Sequence, residues 1–434
     1  MNKEKEFAKS LINFIQQSPS SFHVVKSVEE ILQDNGFNEI KLEEVWNLEK
    51  EGKYYIIKNK SAIIAFEIGK GEIEQEGFRL IGAHTDAPCF RIKPNPEMVV
   101  EDKYLKLNTE VYGGPILNTW FDRPLSLAGR VSIKADNPLN PEEKLVDFKE
   151  PLMIIPNLAI HMNRKINEGI KINPQIDTLP LLAIIDDKFK KDNFLLKLIA
   201  ERLDIKKVED ILDFELFLYN TEEGFLVGLN EEFISIGRLD DLAMVHAGLY
   251  GFVNSKVSQA TNVLVCFDNE EVGSATKQGA ASPMLRTILE RIALSLGKDK
   301  EDYYRALSKS FLISADMAHA LHPNYTDKQD PTNRPIINGG PTIKISASQS
   351  YTTDSLSSAI YEGICKSIKV PVQKFVNRSD ERGGSTIGPI SSTQLDIPSV
   401  DIGNPILAMH SIRELGGVLD HHYVYRTFKE FYSV

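Results

Sequence analysis

Hydrophobic and polar positions follow two textures along the chain. Phe7, Leu11, Phe14 and Ile15 recur at helical spacing and predict a first helix ending near Gln17. Ser18, Pro19, Ser20 and Ser21 then form a turn and capping cluster before a second predicted helix over about 22–35. Residues 54–57 and 62–67 predict a hairpin, and 79–83 a short strand running into His84, Thr85 and Asp86. From about Pro94 to Glu232 the texture changes to short β-type runs, at 104–107, 125–133, 152–155 and 214–218. Gly, Pro and Asn clusters separate them, and only 191–203 has a long helical period.

After Phe233 an α/β texture returns. A strand at 234–237 leads into Arg238, Leu239, Asp240 and Asp241, and Leu242, Val245, Leu249 and Phe252 continue at helical spacing. The apolar run 263–267 stops abruptly at Asp268, Asn269, Glu270 and Glu271, the pattern of a buried strand in a parallel sheet. Helical spacing over 283–296 precedes a strand at 311–315 that ends in Asp316. Strands at 342–345, 372–376 and 398–402 and a helix over 355–367 complete the pattern, with His410 just beyond the last strand. A mostly parallel α/β domain interrupted by a β-rich insertion follows from this alternation.

Length agrees, because 434 residues exceed what one hydrophobic core usually fills. The composition, 42% hydrophobic and 26% charged, is that of a globular protein. A net charge of -11 argues against a nucleic-acid surface. No apolar run reaches the roughly 20 residues that a membrane helix needs, and the N-terminus lacks the apolar core of a signal peptide. Three cysteines, Cys89, Cys266 and Cys365, lack zinc or disulfide spacing and fit a reducing cytoplasm.

Each polar residue at a strand end has an ordinary explanation: an acidic loop, a helix cap, a structural histidine. Together, His84, Asp240, Glu270 with Glu271, Asp316 and His410 all stand at or just past predicted strand ends, where open parallel sheets place their ligands. Two histidines and three carboxylates, with one glutamate left over, suit borderline cations such as zinc or manganese. One shared aspartate would make this a two-metal hydrolytic site, and the leftover glutamate can move a proton from water to a leaving group. Asp86 either shares a metal with His84 or orients its imidazole. His161, without an acidic neighbour in sequence, reads locally as a packing or surface residue.

Six segments carry a resemblance: GAHTDAP at 82–88, GRLDDL at 237–242, DNEEVGS at 268–274, SADMAHALHPNY at 314–325, GGSTIGPI at 383–390 and AMHSIRE at 408–414. In this order they strongly resemble the aspartyl aminopeptidase family of dinuclear zinc metallopeptidases, over nearly the whole chain. The resemblance implies that His84 and Asp316 bind one metal, Glu271 and His410 the other, and that Asp240 bridges them. It implies Glu270 as general base, Asp86 as the orienting partner of His84, and a cis peptide between Asp240 and Asp241. IPNLAIHMNRKIN at 155–167 is similar to the family segment whose histidine enters a neighbouring subunit's active site, which implies a role in trans for His161. The implied assembly is a homo-oligomer, a tetrahedral dodecamer built from dimers. One departure concerns SASQSYTTD at 346–354, where family members preferring acidic residues carry a lysine and this chain has Ser348. A neutral pocket favours neutral or apolar substrate residues, with Arg382 the one candidate cation from another loop.

The resulting expectation is an α/β/α metallopeptidase domain over 1–93 and 233–434 with an inserted β-rich oligomerisation domain over 94–232. It would be a cytoplasmic metalloaminopeptidase that takes short peptides, uses two divalent ions, zinc first and manganese or cobalt next, and contacts neither nucleic acid nor membrane. The alternatives are carboxypeptidase or deacylase chemistry on the same scaffold, and a metal-stabilised shell or cargo assembly with little turnover.

Overall fold

The computed structural model describes every residue except Met1, Asp187, Lys188, Lys190, Lys191, Asp192 and Arg382. The chain divides into two compact units: Met1–Asp86, Gly224–Met409 and Glu414–Val434 form the first, Ala87–Glu223 and His410–Arg413 the second.

A nine-stranded sheet organises the first unit. Its strands in chain order are β1 (Asn38–Glu39), β2 (Lys53–Lys58), β3 (Ala62–Glu67), β4 (Phe78–His84), β5 (Thr261–Phe267), β6 (Phe311–Ala315), β7 (Thr342–Ile345), β8 (Gln373–Val376) and β9 (Ser399–Gly403). They lie in the order β1-β2-β3-β5-β4-β6-β9-β7-β8. The central four, β5, β4, β6 and β9, are mutually parallel, whereas β3 runs antiparallel to β5 and β7 antiparallel to β9. The mostly parallel α/β reading therefore holds.

Side-chain alternation in the central strands feeds two cores. Ile81 and Ala83 of β4, Leu264 and Cys266 of β5, and Ile313 and Ala315 of β6 enter one core with helices Asn2–Gln17, Ser21–Asp34, Leu239–Val253 and Val418–Phe431. Leu80, Val263, Val265, Phe267 and Leu312 enter the other, against helices Met284–Ser295 and Ile387–Leu395. All seven residues of β5 are buried, as a strand covered on both faces requires.

The second unit is a six-stranded antiparallel sheet in the order Glu142–Asp147, Leu125–Ile133, Ile211–Asn220, Cys89–Val100, Tyr104–Tyr112, Leu181–Ile184. Phe90, Leu107, Trp120, Leu127 and Leu216 form its core with Leu195 and Ile199 of helix Phe194–Arg202. The strand expected over 152–155 is absent; Met153, Ile154 and Ile155 make isolated bridges to Leu125, Leu181 and Phe121. The helix expected from 191 starts at Phe194, its first two positions lying outside the described residues. Among the described residues no helix is long and apolar enough to cross a membrane.

Candidate metal centre

Strands β4, β5 and β6 are adjacent and parallel, so their C-terminal ends open on one edge of the sheet. His84 is the last residue of β4, Asp316 follows β6, and Glu270 and Glu271 lie on the turn after β5. That turn is shaped by Asn269 at φ 61° and Gly273 at φ 95°, left-handed positions that reverse the chain directly after the strand. Asp240 and Asp241 arrive differently. The strand before them, Phe233–Ile236, belongs to a separate antiparallel sheet with Phe225–Val227 and Glu414–Gly417. The expectation that every site residue ends a strand on the ligand side of one parallel sheet thus fails for Asp240, because periodicity marks a strand without naming its partner.

Helix Leu239–Val253 begins with non-helical backbone at Asp240 and Asp241, and the peptide between them is cis. No side chain caps its first turn, so helix capping does not explain the aspartates. Asp241 instead accepts a hydrogen bond from the His84 backbone N–H at 3.0 Å, and its Oδ1 is buried without a hydrogen-bond partner.

His84, Asp240, Asp241 and Asp316 each bring one ligand atom within 4.8 Å of the others, and His84, Glu270 and Glu271 form a second such group. Asp240 and Glu271 also approach within this spacing, so Asp240 is common to both sides of the cluster. His84 Nε2 lies 3.4 Å from Asp240 Oδ1 and 4.0 Å from Glu270 Oε2. On the far side of the ring, His84 Nδ1 is 3.1 Å from the Asp86 carbonyl and 3.4 Å from Asp86 Oδ1. The two carboxylate oxygens of Asp86 accept the backbone N–H groups of Glu270 and Glu271, each at 3.1 Å. Asp86 therefore holds the imidazole and the two glutamates in one frame.

The charges are badly matched without a cation. Burial pushes the Glu270 carboxyl up to about 7; His84 opposes the shift, and Asp316, Asp240 and Asp86 add to it. Burial likewise raises Asp241, Glu271 and Asp316, against His84 for the first two and chiefly Lys344 for the third. Burial alone would lower His84, yet Asp241, Asp240 and Asp86 carry it well above its ordinary value. An imidazole set among crowded carboxylates, with Cys266 held as a buried thiol, is a nitrogen and oxygen donor set that fits zinc or manganese.

A family model described as Aminopeptidase I zinc metalloprotease (M18) matches residues 14–432. The chain belongs to the M18 family. This M18 aminopeptidase is 62% identical over 434 residues to a probable M18 family aminopeptidase 2 of Clostridium novyi (strain NT), covering 100% of both chains. It superposes with a TM-score of 0.95 and 35% identity on the chain in a cryo-EM structure of the Ape4 and Nbr1 complex, covering 99% of this chain and 86% of that one. The S. cerevisiae mApe1 dodecamer structure gives a TM-score of 0.86 at 26% identity, covering 100% and 97%. The enzyme is accordingly a metallopeptidase hydrolase of a zinc metalloprotease family.

In this M18 aminopeptidase His410 opens the short segment grouped with the second unit, and its Nδ1 is 3.1 Å from the Gly114 carbonyl. His161 is exposed in the second unit, on a segment that also exposes Leu158, Ile160 and Met162. Ser348 is exposed in the first unit, its hydroxyl 2.9 Å from that of Ser346 and 3.1 Å from that of Ser350. Arg382 lies outside the described residues.

Sequence reasoning passed over three residues of the site. Asp241 read only as the neighbour of Asp240. Glu414 accepts the Asp240 backbone N–H at 3.2 Å, and its place in AMHSIRE was the available signal. Lys344, inside β7, puts Nζ 3.4 Å from Asp316 Oδ2.

Proposed function

We propose that this aminopeptidase removes the N-terminal residue from short peptides at a pair of divalent ions. His84 and Asp316 would hold one, Glu271 and His410 the other, with Asp240 shared. The observation that carries the reading is the frame around Asp86, which sets His84 and the adjacent glutamates among carboxylates that outnumber the positive groups His84 and Lys344. Asp240, common to two ligand groups, supports its bridging part. His410 comes from the family resemblance and from its position one residue past the end of a first-unit segment.

Two divalent ions, zinc by family and manganese or cobalt as substitutes, would polarise the scissile carbonyl and acidify a water. Glu270 would take a proton from the attacking water as the water oxygen adds to the carbonyl carbon. The same carboxyl then delivers the proton to the leaving nitrogen as the C–N bond breaks. Its place beside the ligand group of His84 and Glu271 puts one carboxyl within reach of both transfers. Asp86 orients the imidazole and keeps the Glu270–Glu271 backbone in register.

The hydroxyls of Ser346, Ser348 and Ser350 support a preference for neutral over acidic N-terminal residues. Likeness to a dodecameric relative supports a homo-oligomer, with a tetrahedral dodecamer of dimers as the specific form, the β-rich unit as its oligomerisation domain and His161 acting in a neighbouring site. Three cysteines without pairing spacing and similarity to a bacterial aminopeptidase support a cytoplasmic place. The test is a panel of Asp, Glu, Leu and Lys anilides assayed on metal-stripped protein with zinc, manganese or cobalt restored. Cleavage of Leu anilide only when metal is present supports the reading. Equal cleavage of N-acetylated substrate would replace it with deacylase chemistry, and no turnover with any metal would favour the shell alternative.

A further inference from the structure

Among the described residues Lys344 is the only lysine or arginine that is fully buried, at 3% exposure. It sits inside β7, where a strand covered on both faces would ordinarily carry an apolar side chain. Its Nζ donates to the Met317 carbonyl at 3.0 Å, lies 3.4 Å from Asp316 Oδ2 and stands 5.2 Å from the centre of the buried Tyr351 ring. An ammonium withdrawn from water is costly unless an opposite charge faces it, and Asp316 is its one ion-pair partner among the described residues.

Asp316 in turn belongs to the group that brings His84, Asp240 and Asp241 within 4.8 Å, a set with three carboxylates and one imidazole. We propose that Lys344 is a positioning residue of the metal centre: it holds Asp316 by one oxygen and acts as the resident counter-charge of the metal-free cluster. The assignment rests on the two-metal reading for its purpose, but the pairing itself is a property of the metal-free protein. A methionine at position 344 would fill the same space without its charge, leaving the His84 imidazole as the one positive group beside Asp240, Asp241 and Asp316. Removing the Asp316 charge as well should relieve that conflict by more than Asp316→Asn alone changes the wild type, a coupling that a merely space-filling lysine would not produce.

The experiment compares thermal unfolding of metal-stripped wild type, Lys344→Met, Lys344→Arg, Asp316→Asn and the double variant Lys344→Met/Asp316→Asn, each with and without added zinc. Breaking a buried pair from one side is strongly destabilising, so Lys344→Met should lower the metal-free Tm by at least about 4 °C, with Lys344→Arg closer to wild type. Adding Asp316→Asn should recover at least half of that loss, and zinc should raise the Tm of Lys344→Met more than that of wild type. A metal-free Lys344→Met within about 1 °C of wild type, or no recovery in the double variant, overturns the proposal. If Lys344→Met does not fold, folding of the double variant supports the proposal and its failure overturns it. Wild type that gains no stability from zinc would count against the two-metal reading instead, while the metal-free rescue still decides the part of Lys344.

Discussion

Replacing His421 by Phe should remove about half of the acid sensitivity built into a buried histidine pair of the first unit. His246 and His421 are almost fully buried, at 0% and 2% exposure. Phe7 stacks on His421 with ring centres 4.8 Å apart and packs at 4.9 Å from His246. His421 Nε2 is 2.9 Å from His246 Nδ1, and His246 Nε2 is 3.1 Å from the Ser10 hydroxyl. The buried Nδ1 of His421 has no hydrogen-bond partner, so we assign the ring proton to its Nε2, which donates to His246 Nδ1. His246 then donates from Nε2 to Ser10. In this arrangement neither ring can accept a second proton without leaving an N–H unpaired or facing another N–H. Burial accordingly pushes His421 down to about 3, with His422 adding to the shift, and takes His246 well below its ordinary value, with His421 adding.

Both folded values lie below the unfolded one, so the unfolded chain binds protons first, and stability is lost as pH falls through about 6.5. Between pH 7.5 and 5.5 each histidine accounts for on the order of 1 kcal/mol and the pair for roughly twice that. Carboxylates elsewhere titrate in the same range, so the quantity to measure is the difference between wild type and His421→Phe in urea unfolding at the two pH values. Phe keeps the stack on Phe7 and leaves one titrating ring of the pair, so the gap in stability should narrow by on the order of 1 kcal/mol on acidification. A gap that stays constant within about 0.4 kcal/mol would refute the reasoning.

Glu270→Gln should keep its zinc while kcat falls at least ~100-fold, since general-base contributions lie in the range of 10² to 10⁴; near-normal turnover would remove Glu270 from that role. Asp86→Ala removes the acceptor of two backbone N–H groups and the partner of the His84 ring, and zinc affinity measured by chelator competition should drop about 10- to 100-fold. Chelation should abolish anilide hydrolysis, and zinc, manganese or cobalt should restore it. Gly388→Ala would place a Cβ 2.4 Å from Asp401 Oδ2, a carboxylate that also binds Thr386, Ser314 and the Thr352 N–H. Thermal unfolding should register about 1 to 3 kcal/mol of lost stability.

What the sequence made legible was the abrupt stop of an apolar run. β5 ends where its hydrophobic run ends, and β4 and β6 likewise deliver His84 and Asp316 to the sheet edge. Partners across the sheet were not legible, which is why the strand before Asp240 was assigned to the wrong sheet. Strand Cys89–Val100 passes through Pro94 and Pro96, which read as a break. The ladder to Tyr104–Tyr112 shifts register between Ile92 and Glu97, so the prolines sit where pairing is already interrupted. Helix Ile387–Leu395 was hidden by its glycine and proline. Its cap is Thr386, whose hydroxyl accepts from Gly388 N–H at 3.2 Å, and Pro389 falls in the first turn where no donor is needed. Lys344 and Asp401 are polar positions within buried strands, and periodicity does not separate these from positions facing solvent.

The placement of β4 also sets a schedule. Its two neighbours are β5 and β6, whose residues follow it by some 180 and 230 positions, with the long second-unit segment Ala87–Glu223 synthesised in between. Until residue 316 has left the ribosome, His84 has no Asp316 to face and the centre of the sheet cannot close. A chain cut before β6 would lack that central strand and, in Asp316, one carboxylate of the cluster, so assembly of the centre falls late in synthesis.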